Sequence, residues 1–203
     1  MPRIRLITAI TSLLTLTLLA GCATNANREE TNGYTPPTVS DGETFTESEI
    51  VEAAKGFFGK SAEGLGGVVS AAFRKHGRPN AYITGEEGGG ALTVGLRYGG
   101  GNLVRKNGET RYVYWQGPSI GMDIGGNASK AFILVYDLPE DTDRLYGRYP
   151  GVDGSLYYVA GFGMNVVQND NATLVPIRFG VGWRQGANVG YMKVTKEQTW
   201  NPF

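Results

Sequence analysis

The sequence predicts a mainly β protein: a small antiparallel β-barrel of about eight strands with N-terminal helices packed on it. Three observations point there. Hydrophobic residues recur with a helical period only between residues 46 and 77, and with a period of two from Pro79 almost to the C-terminus. The chain holds 31 Gly and 11 Tyr, glycine interleaved with aromatic and β-branched residues, as tightly curved sheet requires. In several segments one face of the alternation is small or charged and the other bulky and apolar.

The chain opens on an export signal. Arg3 and Arg5 precede an uncharged, Leu-rich stretch from Leu6 to Ala20, the two-part pattern of a secretory signal peptide. Leu19-Ala20-Gly21-Cys22 follows as a lipobox, with small residues before the scissile bond and a thiol to receive diacylglycerol. Cys22 is the one cysteine among 203 residues, and lipidation accounts for its solitude in an exported chain. The segment resembles bacterial lipoproteins, and that resemblance implies, with Ala23 and not Asp at the next position, sorting to the outer membrane with the domain in the periplasm. The segment is too short and too rich in Thr to span a bilayer, so lipid, palmitate among its acyl chains, is the expected anchor. Cleavage divides the chain into a signal peptide (1–21), a tether (22–45) and one domain (46–203), helical over 46–77 and barrel over 78–203. The tether is polar, and Pro36-Pro37 holds it extended.

Thr46-Glu47-Ser48-Glu49 fits a capping box, and Ile50, Val51, Ala54, Phe57 and Phe58 mark one apolar helical face. A second helix is expected from Ser61 to His76, with Gly77 as its C-cap and Arg74, Lys75 and His76 at its negative end. Strands are expected at Ala81 to Thr84, Ala91 to Tyr98, Asn102 to Lys106, Thr110 to Gln116, Ser119 to Gly125, Ala131 to Asp137, Leu156 to Val167, Thr173 to Arg184 and Ala187 to Thr195. Asn107-Gly108 signals a type I′ hairpin. Pro139 to Tyr146 reads as a short helical interruption with acids in its first turn.

The small face of these strands carries Arg97, Asp123, Arg178 and Arg184. An open sandwich would leave that face in water. A narrow barrel turns it inward, because little room remains for side chains in a lumen of about eight strands. The barrel is the preferred reading, with Arg97, Asp123, Arg178 and Arg184 as a candidate polar cluster in its interior.

Catalytic chemistry has little to draw on. Lys+Arg and Asp+Glu are 19 each, giving no electrostatic footprint for nucleic acid. His76 is the one histidine and sits in a polar helix-terminal run, where a solvated or dipole-facing role is expected. With Cys22 taken by lipid, a His/Cys metal site is not expected, nor is a cofactor. Glu86-Glu87 could supply an acid to a glycan-cleaving enzyme, but adjacent strand residues face opposite ways, and a charged turn is preferred. Gly88-Gly89-Gly90 and Gly99-Gly100-Gly101 read as bends. Asp137, Glu140, Asp141 and Asp143 lack the ligand spacing of a calcium loop.

Gly67-Val68-Val69, Lys75-His76-Gly77-Arg78-Pro79-Asn80-Ala81-Tyr82-Ile83, Tyr114-Trp115-Gln116-Gly117-Pro118-Ser119-Ile120-Gly121 and Leu156-Tyr157-Tyr158-Val159-Ala160-Gly161 resemble the envelope integrity protein A family. The resemblance implies a small periplasmic β-barrel that supports the cell envelope, with no known enzyme activity; the lipobox departs from the free periplasmic members of that group. More distantly, Tyr98 to Arg105, Trp115 to Ser119, Gly121 to Gly125 and Phe132 to Val135 resemble the phospholipid-binding SYLF domain. The expectation is therefore a non-enzymatic, lipid-anchored envelope protein, in contact with the membrane through Cys22 and with phospholipid, peptidoglycan or another envelope protein. The alternatives are a phospholipid-binding module, and a glycan-cleaving enzyme using Glu86 or Asp123.

Overall fold

The computed structural model describes residues 43–59, 64–90, 94–120, 129–179 and 190–201. Helix α1 spans Glu47–Phe58 and begins as its capping box dictates: the Glu49 amide donates to Thr46 Oγ1 (3.3 Å) and the Thr46 amide to Glu49 Oε2 (2.8 Å). Helix α2 spans Leu65–His76 and stops at Gly77, whose φ of +77° only glycine adopts freely. The apolar stripes of the two helices, Ile50, Ala54 and Phe58 with Leu65, Val68, Val69 and Ala72, bury against the sheet.

The strands are β1 (Ala81–Gly90), β2 (Val94–Arg105), β3 (Thr110–Ile120), β4 (Ser129–Tyr136), β5 (Gly147–Pro150), β6 (Tyr157–Val159), β7 (Phe162–Met164), β8 (Val167–Gln168), β9 (Thr173–Phe179) and β10 (Tyr191–Thr195). They form one antiparallel sheet in the order β5-β10-β3-β2-β1-β4-β9-β7-β6, with β8 also on β9. The sheet curls on itself. An isolated bridge between Gly151 and Val167 links the end of β5 to β8, so that eight strands make a ring and β6 and β7 extend it beneath the helices.

Two cores follow from the strand period. Phe132, Leu134 and Tyr136 of β4 and Val175 and Ile177 of β9 face outward and meet the helices. Their alternates, Ala131, Ile133, Val135 and Leu174, face inward with Ala81, Ile83, Leu103, Val113, Trp115, Met192 and Val194. The small face lines the lumen only toward Arg97 and Arg178; elsewhere bulky apolar side chains such as Ile83, Leu103, Trp115 and Ile133 fill it, and the helices cover the outward residues of β4 and β9.

One end of the ring is plugged. Arg105, nearly buried, donates through Nη1 to the carbonyls of Pro139 (2.7 Å) and Glu140 (3.0 Å) and to Thr142 Oγ1 (2.7 Å). Asn80 exchanges hydrogen bonds with the backbone of Leu138 (2.7 and 3.2 Å). These contacts hold Leu138, Leu145 and Tyr149 in the mouth.

Several local expectations change. Glu86-Glu87 and the two glycine runs are not turns: they lie inside β1 and β2, paired as Glu86 with Gly100 and Glu87 with Gly99. Gly99 and Gly85 have no side chain because the Trp115 ring lies against both, and a Cβ on either would collide with it. At Asn107-Gly108 only Gly108 has positive φ, and the Glu109 amide bonds to Asn107 Oδ1 (3.0 Å), which makes a longer loop than type I′. The expected strand from Leu156 to Val167 is instead the β6–β7 hairpin, followed by β8. Its turn, Ala160-Gly161, has positive φ at both residues, and Gly64 packs against the methyl of Ala160. Pro139 to Tyr146 contains a 3-10 turn at Thr142–Leu145, with Asp141 capping it.

Candidate functional site

Glu87 continues the inward series Ala81, Ile83, Gly85 along β1 and reaches the lumen 2% exposed. Arg97 enters from β2, opposite Gly89 and Gly117, and Arg178 from β9, opposite Ala131 and Gly163; the small residues beside them make room for guanidinium groups. Arg178 grips the carboxylate along its edge, Nε to Oε1 at 2.5 Å and Nη2 to Oε2 at 3.2 Å. Arg97 Nε stands 3.3 Å from Oε1, and Trp115 Nε1 donates to Oε2 at 3.2 Å. Arg178 Nη1 is anchored in turn by Asn165 Oδ1 at 3.0 Å. The result is a buried triad of two cations and one anion, with an indole laid across a glycine floor.

Burial alone would raise the Glu87 carboxyl. The charges of Arg178 and Arg97, with hydrogen bonds from Arg178 and Trp115, overcome it and hold the group below its ordinary value. An acid held ionised in this way is a poor proton donor, and its two oxygens already accept from Arg178 and Trp115 and pair with Arg97. Beside the triad lies a cavity of about 30 Å³ bordered by Gln116, Asn165, Val167 and Met192. That is room for a water molecule, not for a sugar ring or an acyl chain.

Of the residues named from sequence, Arg97 and Arg178 come together on one carboxylate. Cys22, Asp123 and Arg184 lie outside the described residues. Glu87, Trp115 and Asn165 were not anticipated; the signal for Glu87 was the unbroken alternation from Ala81, which the adjacent acids and glycines disguised. His76 is half-buried, not solvated: its Nε2 and the Tyr136 hydroxyl are both shut off from solvent without a hydrogen-bond partner, their rings 5.6 Å apart. Burial first, and Lys75 second, hold the His76 imidazole below its usual value against the opposing charge of Asp137.

A second concavity lies on the outer face of β1, β2 and β3. Across the strands its rows read Thr84-Asn102-Tyr112, Glu86-Gly100-Tyr114 and Gly88-Tyr98-Gln116. Gly100 leaves a recess between Glu86 and Tyr114, and the Tyr112 ring leans over it, its hydroxyl 2.9 Å from where a Cβ would stand. The C-terminal segment forms a wall: Tyr98 Oη donates to the Trp200 carbonyl (3.0 Å), Gln116 Nε2 to that of Asn201 (3.2 Å), and Gln198 and Thr199 line the groove. Its volume is about 380 Å³.

Among the described residues no three His, Cys, Asp or Glu side chains come together as metal ligands, and no helix is long and apolar enough to cross a membrane.

The model of the envelope integrity protein A family matches residues 43–203. A crystal structure of a β-barrel-like, uncharacterized protein from Brucella abortus superposes with a TM-score of 0.73 at 50% sequence identity, covering 79% of this chain and 99% of that one. No curated protein matches.

Proposed function

Because this chain belongs to the envelope integrity protein A family, we propose that it is a non-catalytic, lipid-anchored protein that supports the cell envelope. The family carries the envelope role and the barrel-like fold. The lipid on Cys22, attachment to the outer membrane and a periplasmic domain are the reading of the leader sequence. One observation supports a structural over a catalytic role: Glu87 is engaged by its described neighbours, accepting from Arg178 and Trp115 and paired with Arg97. A general acid needs a raised pKa and a free oxygen facing substrate. Glu87 has neither.

The experiment has two arms. Cells lacking the gene are complemented with the wild-type chain or with Cys22→Ser, then fractionated and challenged with detergent. The expected result is loss of both the acyl mass and the membrane fraction in Cys22→Ser, with wild type restoring resistance. A Cys22→Ser chain that stays in the membrane fraction would sink the anchor. In the second arm the purified chain is incubated with peptidoglycan, and release of soluble fragments would sink the non-catalytic reading.

A further inference from the structure

We propose that the outer groove across β1, β2 and β3 binds the glycan strand of peptidoglycan. The choice of this polymer rests on the envelope role argued above; the site rests on its own geometry.

A pyranose ring offers two chemistries at once, an apolar face of C–H groups and an edge of hydroxyl and acetamido groups. The groove offers the complement of each. Tyr112, 53% exposed, and Tyr114 supply aromatic surface at 5.1 Å from each other, and Tyr98 is steadied by Trp200 at 5.2 Å. Facing them across the recess is the exposed carboxylate of Glu86, two strands and therefore about 9 to 10 Å from Tyr114 along the sheet. Gly100 lies between with the Tyr112 ring leaning over it, and the open volume beside that ring is the space in which a sugar ring would lie. Gln198 and Thr199 add hydrogen-bonding groups on the C-terminal wall. The volume of about 380 Å³ falls in the range of small-ligand clefts.

Charge narrows the occupant. Among the described residues the groove lining holds one carboxylate and no lysine or arginine, and Lys130, opposite Glu86 on β4, is turned to the Phe57 carbonyl (2.7 Å). That disfavours phosphate-bearing headgroups and suits a glycan whose amino sugars are N-acetylated and uncharged along the strand. Aromatic grooves also take proline-rich peptides, but those fit successive aromatic ridges. Here Tyr112 and Tyr114 meet edge to face at 65°, and the recess is single with polar groups on both sides. Among the described residues Glu86 is also the one acid lining the groove, whereas glycoside cleavage uses a pair, so the site fits binding without hydrolysis.

The test uses the full chain purified in detergent, with co-sedimentation on purified peptidoglycan sacculi and competition by a soluble N-acetylglucosamine tetramer. Wild type is expected to sediment and the tetramer to release it. Tyr112→Ala and Glu86→Gln, both at exposed positions, are each expected to weaken binding about tenfold with an unchanged melting temperature. Leu156→Ser, exposed on the β6 hairpin, serves as the control and is expected to bind as wild type. Should Tyr112→Ala fail to fold, Glu86→Gln carries the comparison.

Failure of wild type to bind sacculi, or equal binding by wild type and both groove variants, overturns the proposal. So does binding to phosphatidylglycerol vesicles, or to a peptide of residues 30–40, that the groove variants abolish while sacculi remain bound. Because the readout is binding by purified chain, any of these leaves the fractionation and detergent-resistance results standing. Failure of those results equally leaves the groove measurement intact.

Discussion

Replacing Glu87 by Gln removes one negative charge from a site that keeps two guanidinium groups, and the structure sets the size of the consequence. Both arginines are largely buried, with side-chain exposures of 11% for Arg97 and 8% for Arg178. Breaking a buried ion pair from one side costs about 3–5 kcal/mol, because the remaining charge is left desolvated. A domain of this size has about 5–15 kcal/mol of stability, and each kcal/mol moves its melting temperature by about 2–4 °C. Glu87→Gln should therefore melt about 6–20 °C below wild type. Glu86→Gln, one residue earlier on the exposed face, should stay within about 0.5 kcal/mol. Replacing the whole triad, Glu87→Leu with Arg97→Met and Arg178→Met, should recover most of the loss, since no charge is then stranded. The assay is urea and thermal unfolding of the four chains. The sign with pH follows from the lowered carboxyl: its contribution is complete above the unfolded value of 4.5 and is lost as pH falls below that toward the folded value. The gap between wild type and Glu87→Gln should thus be constant from neutral pH to about pH 5 and close in stronger acid. Equal melting temperatures for Glu86→Gln and Glu87→Gln, or a gap that widens in acid, would refute the triad as a stabilising device.

Gly99→Ala should cost about 1–3 kcal/mol in urea unfolding and shift tryptophan emission, because its methyl group would press on the Trp115 indole held between Gly85 and Glu87. His76 is held below its usual 6.5 by burial, so the unfolded chain takes up a proton first as pH falls through that value, and stability drops. His76→Phe, which keeps a ring beside Tyr136, should flatten the wild-type decline in urea midpoint between about pH 7.5 and about pH 5; an unchanged slope would show that His76 does not carry the decline. Thr46→Ala removes the acceptor of the Glu49 amide and should lower stability by about 1 kcal/mol, read as helical signal lost on mild heating.

Alternation made the fold readable. Where a strand runs over residues of strong strand preference, as in Phe132-Ile133-Leu134-Val135, period and burial agree, and the sequence assigns each side chain to helix-covered face or lumen. The capping box at Thr46 was equally plain because it is local. What could not be read from local preference was Glu86-Glu87-Gly88-Gly89-Gly90 and Gly99-Gly100-Gly101. Such residues favour turns in isolation, and only tertiary neighbours make glycine fit the strands: the Trp115 ring at Gly99, the Tyr112 ring at Gly100, and the facing backbone of β1 and β2 at Gly89 and Gly101. The same concealment hid Glu87: the sequence pointed to Arg97 and Arg178 as inward charges, but the anion that joins them lay in a segment that looked like a bend. His76 misled in the opposite sense, since its polar neighbours Arg74 and Lys75 are exposed while the helix turns it toward Tyr136.

Among the described residues the ring closes at a short seam, the bridge of Gly151 with Val167 flanked by hydrogen bonds from Val166 to Ser155 Oγ (3.0 Å) and from Asn169 Nδ2 to the Arg148 carbonyl (3.3 Å). A hoop gives first at its shortest seam, while the long pairings of β1, β2 and β3 spread any displacement along ten or more residues. Val167 also borders the cavity next to the triad, and Asn165, two residues earlier, holds Arg178. Local opening of this short seam, rather than of the long pairings, is therefore where solvent would reach the barrel's buried charges first.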